Sequence, residues 1–205
     1  MDYSKTADAT TIEKTIAALK GHNFQAELVA TKQAALARIK DLIPAGANVM
    51  SGSSTTLNEI GFTEYMKSGT HGWKNLKEEI VEEKNPAKQA VLRKQAVLAD
   101  YFLGSVHAVT EAGETVTASA SGSQLPSYAF TSPNLIWVVG TQKIVPNLDE
   151  AMKRIREYTF PLEDARMKST GAPGSLLAKM LIQLTEPGMM KRNIHLIFIN
   201  EKLGF

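Results

Sequence analysis

Cysteine is missing from all 205 residues. Its absence excludes disulfides, thiol nucleophiles, iron–sulfur ligation and cysteine-based zinc sites within this chain. An excess of one charge is missing too. Lys and Arg number 23 against 21 Asp and Glu, a formal net charge of +2, and the signs interleave (Lys77-Glu78-Glu79, then Glu82-Glu83-Lys84). Nucleic-acid binders concentrate basic residues on one stripe, so no nucleic-acid partner is expected. No apolar run approaches the ~20 residues that cross a bilayer, and no membrane partner is expected. Met1-Asp2-Tyr3-Ser4-Lys5 lacks the basic and then apolar order of a secretory signal, which makes a cytoplasmic location the expectation. The histidines His22, His71, His107 and His195 stand apart without ligand spacing, so no metal site is expected.

What is present is the composition of a globular protein, 43% hydrophobic and 21% charged, in a length that suits one domain over 1–205. Helical and extended patterns alternate. Residues 11–20 have apolar positions at helical spacing (Ile12, Ile16, Leu19), with Gly21 as a stop. Residues 24–29 read as a strand, 32–43 as a helix closed by Pro44, Val49-Met50 as a second strand and Leu57 onward as a third helix. Such alternation predicts βαβ units around a parallel sheet. Residues 73–99 are helical and charged, broken at Asn85-Pro86, where Asn85 can cap and Pro86 can occupy the first turn. Their stripe Val91, Leu92, Ala96 and Leu98 reads as core packing. Strands follow at 101–103, 106–110, 115–118 and 135–139, the last continuously apolar and so covered on both faces. Asn147 opens a capped helix over 151–158. A final helix is predicted over 175–184 and a last strand over 194–199.

Three polar turns sit where such a sheet would end. Ser51-Gly52-Ser53-Ser54-Thr55-Thr56 lies between a strand and a helix, and its hydroxyls and amides could hold a phosphate or carboxylate, or simply cap the helix. Val109-Thr110-Glu111-Ala112-Gly113-Glu114-Thr115 places Glu111 just past a strand, as a nucleophile or general base or as an idle turn carboxylate. Gly140-Thr141-Gln142-Lys143-Ile144-Val145-Pro146 follows the strongest strand, where α/β proteins bind ligands. There Lys143 would neutralise an anion, or be a surface lysine. Gly113, Gly140 and Thr141 join the candidate ligand-binding set with Gly52, Ser53, Ser54, Thr55 and Thr56. Ser119-Ala120-Ser121-Gly122-Ser123-Gln124 adds Ser121 and Gly122 as pocket-lining candidates. Glu59 and Asp100 are acidic residues at element ends, useful if the fold unites them. Gly171-Ala172-Pro173-Gly174-Ser175 lacks the Lys-Ser/Thr signature of a phosphate-binding loop.

In this order the three turns resemble the LUD domain (lactate utilisation) family, a member of the NagB/RpiA/CoA-transferase-like superfamily. The matching stretches are Ser51 to Gly61, Ala108 to Val116, and Ile136 to Pro146 with the helix opened by Leu148-Asp149-Glu150-Ala151. The resemblance implies a three-layer α/β/α sandwich with a mostly parallel sheet and a cleft at the strand ends. It implies that Gly52-Ser53-Ser54-Thr55 is the counterpart of the phosphate-holding turn of ribose phosphate isomerases. Glu111 with Gly113 is similar to the acyl-carrying glutamate of CoA-transferases. Relatives with a ferredoxin-like extension hold iron–sulfur centres, whereas this chain has no cysteine. An iron–sulfur partner subunit would then supply the redox centre.

Three functions follow as expectations. The first is a lactate or hydroxy-acid utilisation protein that binds a small anionic metabolite through residues 51–55, with Lys143 assisting and Glu111 as acid/base. The second is a stand-alone CoA-transferase-like or sugar-phosphate-isomerase-like enzyme, and the third a non-enzymatic subunit of a redox complex. The sequence leaves the substrate, the cofactor and whether a homo-oligomer forms open.

Overall fold

The apolar run 135–139 has no solvent face. Leu135, Trp137 and Val139 enter one hydrophobic cluster, and Ile136 and Val138 enter another. In the computed structural model, which describes residues 1–205, this run lies inside a six-stranded parallel sheet.

The elements in chain order are α1 (Ala9–Gly21), β1 (Gln25–Val29), α2 (Lys32–Leu42), β2 (Asn48–Ser51), α3 (Thr55–Glu59), α4 (Phe62–Lys67) and β3 (Lys74–Asn75). Next come α5 (Leu76–Glu82), α6 (Pro86–Gln95), β4 (Tyr101–Gly104), β5 (Ala108–Thr110), β6 (Thr115–Ser119), β7 (Asn134–Gly140) and β8 (Ile144–Val145). The chain closes with α7 (Leu148–Arg154), α8 (Phe160–Ser169), β9 (Lys179–Gln183) and β10 (Asn193–Ile199). The main sheet runs β1-β10-β7-β4-β2-β3. Helix α1 packs on one face and α2, α3 and α4 on the other, which makes an α/β/α sandwich. A second sheet, β8-β5-β6-β9, carries α7 on a smaller core of Ala108, Val116, Val145, Ala151 and Ile155. No helix is long and apolar enough to cross a membrane.

Local chemistry sets the boundaries. Asp8 caps α1 and Thr31 caps α2, each through a side-chain oxygen that accepts a first-turn amide. Asn85 accepts from the amides of Ala87 and Lys88 ahead of Pro86, and Asn147 accepts from Glu150 at 3.0 Å, so both predicted caps are present.

Three predicted elements differ. Residues 175–184 are not a helix: Lys179–Gln183 is strand β9, antiparallel to β6. The buried strand residues Thr115, Val116 and Thr117 need a hydrogen-bonding neighbour on that side, and this pairing outweighs the local helical pattern. The stripe on α6 is not core. That helix buries none of its residues, Val91 and Leu98 are exposed, and only Ala96 just beyond it is buried. Instead, Lys77, Ile80 and Val81 of α5 and Arg93 of α6 line a cleft. Finally, the helix expected to end at Tyr158 continues through a wide turn, residues 155–159, into α8.

The carboxyl ends of parallel neighbours β2 and β4 lie side by side, with Ser51 opposite Leu103, while β7 runs past the last residue of β4, Gly104, which stands opposite Trp137, to end at Gly140. The loops that leave these three carboxyl ends therefore converge, and the cleft opens there.

Candidate functional site

Lys143 closes a single 3-10 turn, residues 141–143, at the end of β7. The turn aims its side chain inward, and only 2% of the residue is exposed. The Nζ donates to Thr56 Oγ1 and to Ser105 Oγ, each at 3.0 Å. No carboxylate lies within ion-pair distance of it. Burial pushes its pKa down to about 7, the Arg154 charge adds to the fall, and Glu59 opposes it. A buried ammonium without a counter-charge is costly, so the amine is poised between its two forms at neutral pH.

His107 stands beside it on the stretch that leaves β4 for the second sheet. Its Nδ1 accepts the backbone N–H of Ala118 at 3.0 Å, which fixes the ring proton on Nε2. Burial and the charges of Lys143 and Arg154 hold its pKa near 3, so the ring is neutral. Fully buried Arg154 reaches from α7 to donate to the His107 carbonyl and to Thr159 Oγ1. Its Nε and Nη2 have no hydrogen-bond partner. The guanidinium lies near the Tyr3 and Tyr158 rings, at 5.9 and 5.2 Å from their centroids. Two buried basic groups thus flank a neutral imidazole, and the region favours an anion.

The cleft occupies about 660 Å³. Of the candidate residues it brings together Gly52, Ser53, Ser54, Thr55, Thr56, Ser121 and Lys143. The helix behind the first turn has only five residues, and Ser54 Oγ caps it by accepting from Leu57 N at 3.3 Å. Hydroxyls more than a helix dipole are therefore what this turn offers. Lys77, Arg93, Ile80 and Val81 form the wall given by α5 and α6, and Leu176, Phe160 and Phe205 contribute apolar surface to the lining.

The other candidates lie elsewhere. Glu111 is outside the lining and pairs with Lys14 of α1 at 2.8 Å. Gly113 is there for packing: with φ +89, a Cβ on it would sit 2.8 Å from the backbone of Ala18 and Leu19. Glu59 accepts the amide of Gly204 at 2.8 Å, while Asp100 accepts from Asn48 at the opposite ends of the strands, so the fold keeps these two apart. Gly140 and Thr141 pack against the segment 200–204, Thr141 through a 2.7 Å hydrogen bond to Asn200. Gly122 shapes its loop at φ +82 without lining the cleft. No group of three or more His, Asp or Glu side chains is placed to hold a metal.

Sequence reasoning missed Ser105 and His107. Their one signal is position, in a short connection between two buried strands. Spacing rules for metal ligands do not detect a lone histidine held by a backbone amide.

A family model described as LUD domain matches residues 12–199. The fold is similar to the crystal structure of a DUF162 family protein from Deinococcus radiodurans, with a TM-score of 0.57 and 12% sequence identity. That match covers 94% of this chain and 98% of the other. No curated protein matches the sequence.

Proposed function

We propose, from the premise that this chain belongs to the LUD domain family, that its cleft binds a small anionic metabolite of the hydroxy-acid class, with Lys143 as the contact for its charge. One observation carries the reading: a lysine amine buried at the carboxyl end of β7, bonded only to hydroxyls and left without a carboxylate. Such an arrangement destabilises the empty fold and is relieved when an anion arrives. Hydroxyls of residues 53–55 supply the remaining contacts, and the buried Arg154, outside the lining, adds positive charge behind His107. The role in lactate or hydroxy-acid utilisation rests on the family, and a separate iron–sulfur subunit would accept the electrons that a cysteine-free chain cannot carry. Acyl transfer through Glu111 gains no support from the geometry, because that carboxylate is paired with Lys14 away from the cleft.

A thermal-shift panel tests the reading with lactate, glycolate, pyruvate, sugar phosphates and CoA esters. A ligand in large excess over its dissociation constant adds ~2–4 kcal/mol, several degrees for a chain of this size. We expect the small carboxylates to raise Tm, and to do so more strongly at pH 6 than at pH 8. Lys143 is protonated below about 7, while His107 stays neutral and Arg154 stays charged across that range. Lys143→Met abolishes the shift and Glu111→Gln leaves it intact. An unaltered shift in Lys143→Met, or a shift given by CoA esters and lost in Glu111→Gln, would overturn the assignment.

A further inference from the structure

The hydrogen bonds around Lys143 Nζ run in one direction. Ser105 Oγ gives its proton to the Val138 carbonyl at 2.7 Å, and Thr56 Oγ1 gives its own to the Leu203 carbonyl at 3.4 Å. Both hydroxyls therefore present lone pairs to the amine and accept two of its hydrogens. Nothing in the protein donates to Nζ. In the neutral amine the nitrogen lone pair is consequently not engaged by Thr56 or Ser105, and Lys143 borders the open cleft. The same burial that brings its pKa to about 7 makes the neutral form abundant near neutral pH.

We propose that Lys143 is a nucleophile that forms an imine with a carbonyl-bearing carboxylate, a 2-oxo acid, in this cleft. The inference rests on the anion-binding reading above and names the substrate class for the same site. The nitrogen lone pair attacks the carbonyl carbon, and the carbonyl π pair passes to oxygen, which takes a proton to give a carbinolamine. Loss of that hydroxyl as water, with the proton that nitrogen sheds, leaves the C=N bond. Overall one amine and one carbonyl give one imine and one water, with no oxidant or reductant.

His107 lies in the same lining, and its Nε2–H makes no hydrogen bond within the protein. It is the group placed to donate to the oxygen as it departs. Its neutrality keeps a second full charge from the amine. The Ser53, Ser54 and Thr55 turn is on hand for the ligand carboxylate. A carboxylate against these hydroxyls and a carbonyl at Lys143 is the pairing that a 2-oxo acid offers and a plain hydroxy acid does not.

The test is trapping. The intact protein at pH 7 is incubated with pyruvate or glyoxylate and sodium cyanoborohydride, then digested and mapped by mass spectrometry. An ordinary lysine is almost fully protonated at that pH, so Lys143 has roughly a thousandfold more free amine to offer. Allowing for restricted access, we expect the reduced adduct on Lys143 to form at least about tenfold faster than on exposed lysines such as Lys94 and Lys202. Lactate, which has no ketone or aldehyde carbonyl, is expected to protect Lys143 without labelling it. Unfolding in urea before labelling is expected to erase the preference. Adducts spread over surface lysines with Lys143 unmodified would overturn the proposal. If the small acids still raise Tm through Lys143 while none labels it, the imine is wrong and the binding reading stands. If they neither label Lys143 nor raise Tm, both fail.

Discussion

Replacing Lys143 with methionine is expected to make the protein more stable, by about 3 kcal/mol at pH 7. Burial holds the amine near 7 against an ordinary 10.5, and each unit of that difference is about 1.4 kcal/mol. The native fold thus carries a penalty of about 4 kcal/mol at neutral pH for keeping this group dry. Methionine fills a similar volume without that penalty. The Thr56 and Ser105 hydroxyls lose a partner, which offsets about 1 kcal/mol. The pH dependence has a definite sign. Below about 7 both states hold the proton, and the penalty is constant and at its full size. Between about 7 and 10.5 the unfolded chain binds a proton that the folded chain does not, so raising the pH stabilises the wild type. The advantage of Lys143→Met therefore shrinks through that window. Urea unfolding at pH 7 and pH 9.5 measures both parts. A variant less stable than the wild type at pH 7 would make Lys143 a structural brace and remove the argument for a ligand.

Gly140→Ala is expected to cost about 3 kcal/mol, or about 8 °C in Tm, and to weaken ligand binding with it. The backbone at Gly140 is ordinary for any residue, with φ −71, so conformational freedom is not the issue. Space is. An added Cβ would sit 2.6 Å from the Glu201 carbonyl and 2.8 Å from the Leu203 amide, and closer still to the Gln142 side chain. Backbone atoms cannot turn aside as a side chain would. The segment they belong to is also tied down: Gln142 Nε2 donates to the Leu203 carbonyl at 2.8 Å, and Glu59 accepts the Gly204 amide at 2.8 Å. Pushing it away loosens Thr56, which bonds both Leu203 and Lys143. Gly21→Ala, with nothing within 4 Å of the new methyl, serves as the control and should change stability by about 0.5 kcal/mol or less. Equal behaviour of the two variants would mean that the 200–204 segment does not hold the site in place.

The parts of this fold that could be read from the sequence are those where local pattern and tertiary demand agree. The run 135–139 is apolar at every position because both faces are covered, and Asn85 and Asn147 cap whatever the rest of the chain does. Residues 175–184 misled because strand β9 is set by the edge of β6, more than 50 residues earlier in the chain, and local pattern does not report such a neighbour. Helix α6 misled in the other direction, since its apolar stripe stays out of the core, with Val91 and Leu98 exposed.

The site divides in the same way. Residues 51–56 and Lys143 share one cleft because each turn follows a strand of the main sheet and the topology places β2 and β7 on either side of β4. Glu111 had an equally suggestive turn, yet β5 belongs to the second sheet and carries that carboxylate toward α1. Ser105 and His107 depend on which carbonyl and which amide lie beside them, Val138 and Ala118, and only the folded chain supplies those.

The central claim is that Lys143 is an unpaired, poised amine awaiting an anion. The most direct measurement is an NMR titration of the protein with ¹³C-labelled lysine, assigned with Lys143→Met, alone and with a small carboxylate that raises Tm. The account predicts one lysine titrating near 7 in the free protein and moving upward when the carboxylate binds. A Lys143 signal that titrates at the ordinary lysine value of 10.5, and that no carboxylate moves, would contradict it.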